Sequence, residues 1–311
     1  MKLVKAFAPA TVANVAVGFD LLGFPIDAVG DTVSVSKLKD PIVRVKAISG
    51  SSKVPLDPHK NTATVGLLAL IQDLNLSFGF EVSIRKGIPL SSGMGGSAAS
   101  AVGAIVAANA FLSKPLSKTE LLKYALLGEK AGTGVAHADN ITPCLFGSMT
   151  IASPPGEEVS EPTMIPVPKN IICVLVHPEM ELSTRTSRSV LKSEMQLKDH
   201  TRQSANLAHF IAGCYTSDLD LIERSLHDLI IEPQRKHLII GFDQVKSAAL
   251  KKGALGCSIS GSGPSVFAWV SSKKTALSVK EAMTEAFLKS GIKKVNAWIS
   301  PISKQGAKII S

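Results

Sequence analysis

The sequence predicts an α+β protein of two lobes, and three observations carry that prediction. At 311 residues the chain can bury one large core or two moderate ones. Between Ser153 and Asn170 prolines and polar residues replace apolar ones, which marks a connection and sets the expected lobes at residues 1–155 and 156–311. On either side of it, short strand-like runs stand beside longer helix-like ones.

Taken in order, the elements read as follows. Glu81 to Arg85 alternates polar and apolar residues, as a half-buried strand does, and Ala98 to Leu112 carries neither charge nor proline, as a buried helix can. Between them, Pro89 to Ser100 crowds three glycines and four serines. A helix start offers unpaired amide N–H groups and the positive end of its dipole, and glycines let a bulky anion approach the main chain. The segment is therefore either a phosphate cradle or a serine-capped turn. No Gly-Lys-Ser/Thr follows the glycines and the spacing is not Gly-x-Gly-x-x-Gly, so both common nucleotide fingerprints are missing.

Further on, Ser117-Lys-Thr-Glu120 is a capping box that opens a helix from Lys118 to about Ala131. Glu129 then falls in the last turn, where the dipole disfavours a carboxylate. It is either an exposed residue of a fraying turn or is held by something else. The segment from Gly132 to Asn140 is small, flexible and suddenly rich in hydrogen-bonding groups. There His137 and Asp139 are open to two readings, turn and cap residues or ligand-binding ones. Ile171 to Val176 reads as the strand that opens the second lobe. Gly256 to Ser265 reads as a strand and tight glycine turn leading into a second strand, Val266 to Val270.

Composition excludes several classes of function. Cys144, Cys173, Cys214 and Cys257 are widely spaced, with no Cys-x-x-Cys pair, and read as buried thiols rather than metal ligands or a disulfide framework. The formal charge of +9 invites nucleic acid. Yet the lysines come singly or in pairs, and two Trp and two Tyr give little stacking surface. No nucleic-acid partner is expected. No apolar run reaches the roughly 18 residues of a membrane span. Pro9, Asn14 and Asp20 interrupt any signal-peptide core, so a cytoplasmic location without a membrane partner is expected.

Three motifs in order carry a resemblance to a known family. Pro89-Leu-Ser-Ser-Gly-Met-Gly-Gly-Ser-Ala-Ala99 resembles the Pro-x-x-x-Gly-Leu-Gly-Ser-Ser-Ala-Ala signature of the GHMP kinases. It departs from it twice, with Met94 for the usual leucine and Gly96 for the first serine. The opening Pro9-Ala-Thr-x-Ala-Asn14, with Gly18-Phe-Asp20 and Gly30-Asp31, is similar to the homoserine kinase branch in particular. Gly256-Cys-Ser-Ile-Ser-Gly-Ser-Gly-Pro-Ser265 matches the third motif. The resemblance runs from about Val4 to Val295.

What the resemblance implies is specific. The fold would be that of the GHMP kinases, with an N-terminal lobe like a ribosomal-protein domain and a ferredoxin-like C-terminal lobe. The activity would be transfer of the γ-phosphate of MgATP to the hydroxyl of L-homoserine, for threonine biosynthesis, by a homodimer. ATP would be held by Pro89, Leu90, Ser91, Ser92, Gly93, Met94, Gly95, Gly96, Ser97, Ala98 and Ala99, and Mg²⁺ by Ser97 and Glu129. Asn14, Asp20, His137, Asp139, Arg188 and Arg235 would form the homoserine pocket. In the second lobe the pattern Ser-Thr-x-x-x-Arg selects Arg188 over Arg185, and Glu232-Pro-Gln-Arg235 matches a Glu-Pro-x-Arg segment. Guanidinium groups suit a carboxylate, as an amino-acid substrate requires. Asn140 stands where mevalonate kinases carry a catalytic aspartate. An amide cannot be a general base, so Asn140, Ser97 and Glu129 would catalyse by positioning and charge neutralisation. Kinases of other small alcohols, a catalytically silent binding protein of the same fold and an RNA-binding module are the alternatives. Retention of Ser97 and Glu129 speaks against the silent one.

Overall fold

The computed structural model describes residues 2–311 apart from 52, 135, 136, 158 and 159. Two residues of the Gly132-to-Asn140 segment and two of the expected inter-lobe connection thus lie outside the described residues.

The first lobe contains β1 (Leu3–Ala13), β2 (Leu22–Leu38), β3 (Val43–Ser49), α1 (Thr62–Asp73), β4 (Gly79–Arg85), α2 (Gly96–Asn109), α3 (Lys118–Thr133), α4 (Ala138–Phe146), β5 (Met149–Ile151) and β6 (Thr163–Ile165). The second contains β7 (Ile172–Pro178), α5 (Thr184–Ser189), α6 (Leu197–Thr216), α7 (Leu219–Ser225), α8 (Ile231–Arg235), α9 (Phe242–Lys251), β8 (Gly256–Ile259), β9 (Val266–Val270), α10 (Lys273–Lys289) and β10 (Val295–Pro301). A last strand, β11 (Lys308–Ile310), returns to the first lobe and pairs with β1.

The first sheet runs β11-β1-β2-β4-β3, with β5 on β2 and β6 on β5. It is mostly antiparallel, with one parallel pair, β3 and β4, joined through α1. This sheet extends past the division expected after residue 155, because Thr163–Ile165 still pairs with Met149–Ile151. The second sheet has the order β10-β7-β9-β8, all antiparallel. In chain order within that lobe this is 4-1-3-2, the ferredoxin-like arrangement.

Helix α2 is uncharged because it is the core of its lobe. Ala98, Ala101, Val102, Ile105 and Ala108 are all buried, and a helix apolar all round must be enclosed. The predicted capping box of α3 is present, with Glu120 accepting from the Ser117 backbone and Ser117 accepting from the Glu120 backbone.

The two lobes share a core. Along β9, Phe267 and Trp269 point to the first lobe while Val266, Ala268 and Val270 join a separate cluster inside the second, the two-residue alternation of a strand buried on both faces. Phe24 of β2 meets Phe267 at 6.1 Å and Trp269 at 5.7 Å between ring centroids, and Phe210 of α6 meets Trp269 at 5.3 Å. Such aromatic contacts add about 0.5–1.5 kcal/mol each beyond burial. They fix the lobes as two walls of one cleft.

Candidate active site

A cleft of about 500 Å³ opens between the lobes. Every residue expected to bind ATP, metal or substrate lines it except Ala98 and Ala99. Those two methyls are buried inside α2, and the Ala99 N–H is already bonded to the Gly95 carbonyl at 2.8 Å. Ala99 therefore has nothing to offer a phosphate, while Ala98 keeps a first-turn amide.

The helix begins at Gly96 rather than Ala98. Its N-cap, Gly95, sits at φ 67° and supplies no side-chain cap, so the first amides of α2 are left for a ligand. Gly95 is glycine for a steric reason: a Cβ there would lie 2.0 Å from Thr11 Oγ1 and 2.8 Å from Asn140 Oδ1. At Gly96 the nearest atoms would be Ile88 Cγ2 at 3.4 Å and Lys86 Nζ at 3.6 Å, ordinary contacts, so a serine fits there.

Beneath the loop lies a buried ion pair that the sequence reading passed over. Asp31, on β2, accepts from Gly87 N at 3.0 Å, Ile88 N at 3.1 Å and Ser100 Oγ at 2.9 Å, and pairs with the Lys86 ammonium. Lys86 also donates to the Gly96 carbonyl at 2.8 Å and to Ser100 Oγ at 3.0 Å. This ties the loop's helix start to the sheet.

The third motif seals the loop from the other lobe. Ser260 Oγ donates to Gly93 O at 2.7 Å, Ser265 N to Ser92 O at 3.2 Å, and Gly261 N to Ala13 O at 3.1 Å. The turn after β1 is held left-handed at Asn14, Val15 and Ala16 (φ 70°, 44° and 57°). That conformation costs a non-glycine residue about 1–2 kcal/mol, and here it aims the Asn14 side chain into the cleft. Asn14 Nδ2 donates to Gly261 O at 2.8 Å, and its Oδ1 accepts from Asp20 N at 3.0 Å.

Across the cleft, Arg188 of α5 donates to Asp20 Oδ1 at 2.6 Å. Two residues of the expected substrate pocket thus pair with each other across the lobes. Arg188 Nε is buried with no hydrogen-bond partner among the described residues. Arg235 of α8 donates from Nε to Ser187 O at 2.9 Å and from Nη1 to Gly261 O at 3.2 Å. Phe19 faces both guanidiniums, 5.5 Å from Arg188 and 5.2 Å from Arg235, a cation–π platform in the Gly18-Phe-Asp20 motif, where the sequence had given Phe19 no role. Burial and the neighbouring Arg188 lower the Arg235 pKa to about 10.

The acids are set by desolvation. Glu129 is buried, not exposed, and burial with the nearby Asp139 charge raises its pKa to about 8, against a lowering by Lys86. Asp139 is raised to about 7 by burial and Asp20, with Arg188 opposing. The His137 pKa is lowered, chiefly by burial and then by Arg188, so its ring is neutral near pH 7. Asn140 bridges these groups to the loop: its Oδ1 accepts from Thr11 Oγ1 at 2.6 Å and its Nδ2 donates to Asp139 Oδ1 at 3.2 Å.

A glycine loop at an uncapped helix start and a cluster of charged side chains face one cleft between these two lobes, and the protein is a GHMP kinase. Residues 61–148 match the family model of the GHMP kinases N terminal domain and residues 210–289 that of the GHMP kinases C terminal domain. A homoserine kinase of Xylella fastidiosa is 48% identical over 307 residues, covering 98% of this chain and 94% of its own. One of Chlorobium phaeovibrioides is 45% identical over 322 residues, covering both chains in full. The crystal structure of the homoserine kinase of Cytophaga hutchinsonii superposes with a TM-score of 0.96 at 40% identity, covering 100% of this chain and 98% of that one. The chain belongs to the homoserine kinases. The mevalonate kinase of L. major, at 14% identity and a TM-score of 0.70, shares the fold alone.

Proposed function

We propose that this cleft transfers the γ-phosphate of ATP to the side-chain hydroxyl of L-homoserine, yielding O-phospho-L-homoserine and ADP. The observation that carries the reading is that Asp20, Arg188 and Arg235 line the same cleft as the open N-terminus of α2. A zwitterion can enter the Asp20–Arg188 pair, ammonium to Asp20 and carboxylate to the two guanidiniums, and so replace one ion pair by two. Asn14 holds Asp20, Phe19 holds the arginines, and neutral His137 supplies a further polar contact.

The hydroxyl then lies toward Asn140 and the phosphates. Its oxygen bonds to the γ-phosphorus, the bond to the β–γ bridging oxygen breaks, and the hydroxyl proton passes to a phosphoryl oxygen. Phosphoryl transfer needs little from the protein beyond alignment and charge neutralisation. The amides of Gly96, Ser97 and Ala98 with the α2 dipole serve the phosphates. Ser97 and Glu129 fit Mg²⁺: both offer oxygen, which suits that hard cation, and Glu129 is a buried acid whose charge a cation would favour. When bound with ATP, Mg²⁺ would neutralise the phosphate charge. A homodimer, which the resemblance implies, and a cytoplasmic location complete the reading, and light scattering tests the first.

An ADP-release assay over homoserine, mevalonate, shikimate and galactose tests the reading. Homoserine should be the preferred acceptor by orders of magnitude. Comparable turnover of mevalonate or galactose would overturn the assignment.

A further inference from the structure

Thr11 is a fully buried polar side chain that ties three separate motifs together beside the cleft. Its hydroxyl donates to Asn140 Oδ1 at 2.6 Å, across 129 positions of chain, and its backbone N–H donates to the Met94 carbonyl at 3.1 Å. Gly95 lies against both partners, with no room for a Cβ beside Thr11 Oγ1. Asn140 Nδ2 is bonded in turn to Asp139 Oδ1. These contacts select one orientation of the amide. A flipped Asn140 would set its oxygen against the Asp139 carboxylate and leave the Thr11 proton without its acceptor.

We propose that Thr11 is a positioning residue for the phosphoryl-transfer step, acting by holding Asn140 so that its amide N–H, and not its carbonyl, is presented to the acceptor alcohol. The inference rests on the reading that Asn140 meets the substrate hydroxyl. With the carbonyl engaged, Asn140 donates to the alcohol oxygen and leaves the hydroxyl proton turned to the phosphoryl group. The contribution is alignment, which affects turnover and not the affinity of either substrate.

The test is a double-mutant cycle of Thr11→Val and Asn140→Ala, with Thr11→Ser as the conservative variant and Thr11→Ala as a second deletion of the hydroxyl. Thermal melting verifies folding, and the Kd of ATP and of homoserine is measured by calorimetry. Loss of one aligning hydrogen bond corresponds to about a tenfold fall in kcat. Thr11→Val and Thr11→Ala should show it with both Kd values within about twofold of wild type, Thr11→Ser should regain most of the loss, and Thr11→Val should add nothing once Asn140 is alanine. A loss that multiplies with Asn140→Ala, a loss carried by Kd, or no loss in either hydroxyl deletion would overturn the proposal while leaving homoserine phosphorylation standing. An Asn140→Ala variant with wild-type turnover would overturn the role of Asn140 itself, and with it this one.

Discussion

Removing Asp31 should destabilise the protein more than removing Asp31 and Lys86 together. The side chains are 0% and 4% exposed, so water cannot replace a lost partner. Asp31→Ala leaves the Lys86 ammonium buried beside the neutral Gly96 carbonyl and Ser100 hydroxyl, and strips the acceptor from Gly87 N and Ile88 N. Breaking a buried pair in this way costs about 3–5 kcal/mol. Lys86→Met leaves a carboxylate that still accepts from two backbone amides and the Ser100 hydroxyl, so its cost should fall at or below the lower end of that range. In the double variant the uncompensated charge is gone, and the loss should drop below that of Asp31→Ala alone. Because Lys86 anchors the Gly96 carbonyl, Asp31→Ala should also weaken ATP by about tenfold, roughly one lost hydrogen bond's worth of loop order. Urea unfolding gives the stabilities and equilibrium titration gives the ATP affinity. Strict additivity of the two losses, or a cost below about 1 kcal/mol for Asp31→Ala, would refute the claim that this pair organises the loop.

The acids and the glycines carry further expected outcomes. The pKa values of Glu129 and Asp139 are raised by folding to about 8 and about 7. Their contribution to stability is therefore complete below their ordinary values and is lost as pH climbs through 7 and 8. Ligand-free thermal stability should decline over that window, and Glu129→Gln should flatten the decline while lowering turnover. Mg²⁺ affinity, which needs the ionised Glu129, should tighten by about tenfold per pH unit from 6 to 8, and an affinity independent of pH would remove Glu129 from the metal site. Gly95→Ala should cut both stability and kcat, since its methyl would press on Thr11 and Asn140, whereas Gly96→Ser should fold normally and leave ATP binding intact or improved. The opposite order of damage would contradict the loop geometry.

Much of the site could be read in advance because its residues lie in contiguous motifs with local causes. The capping box fixed the start of α3, and the glycine loop before an uncharged helix marked a helix start that faces the cleft. What escaped was nonlocal. Thr11 meets Asn140 and Asp31 meets Lys86 only through the folded sheet, and in the sequence Lys86 is merely a charge at a strand's end. Helix α2 starts two residues earlier than expected because Gly95, in a left-handed conformation, acts as the N-cap without a side chain. Glu129 is a related case: its place near a helix C-terminus left exposure and capture by another group both open, and the burial that raises its pKa is a property of the tertiary fold.

On the proposed function, the pocket reads both charges of an amino acid. The most direct measurement compares kcat/KM for homoserine and for 3-aminopropanol, which lacks the carboxylate, in the wild type and in Arg235→Ala. Loss of a charge-assisted contact costs about 1.5–3 kcal/mol, or about 10- to 150-fold. Homoserine should lead by at least that margin in the wild type, and the variant should lose much of the lead. Equal kcat/KM for the two alcohols in the wild type would mean that Arg188 and Arg235 do not clamp a carboxylate and that the acceptor is a different alcohol.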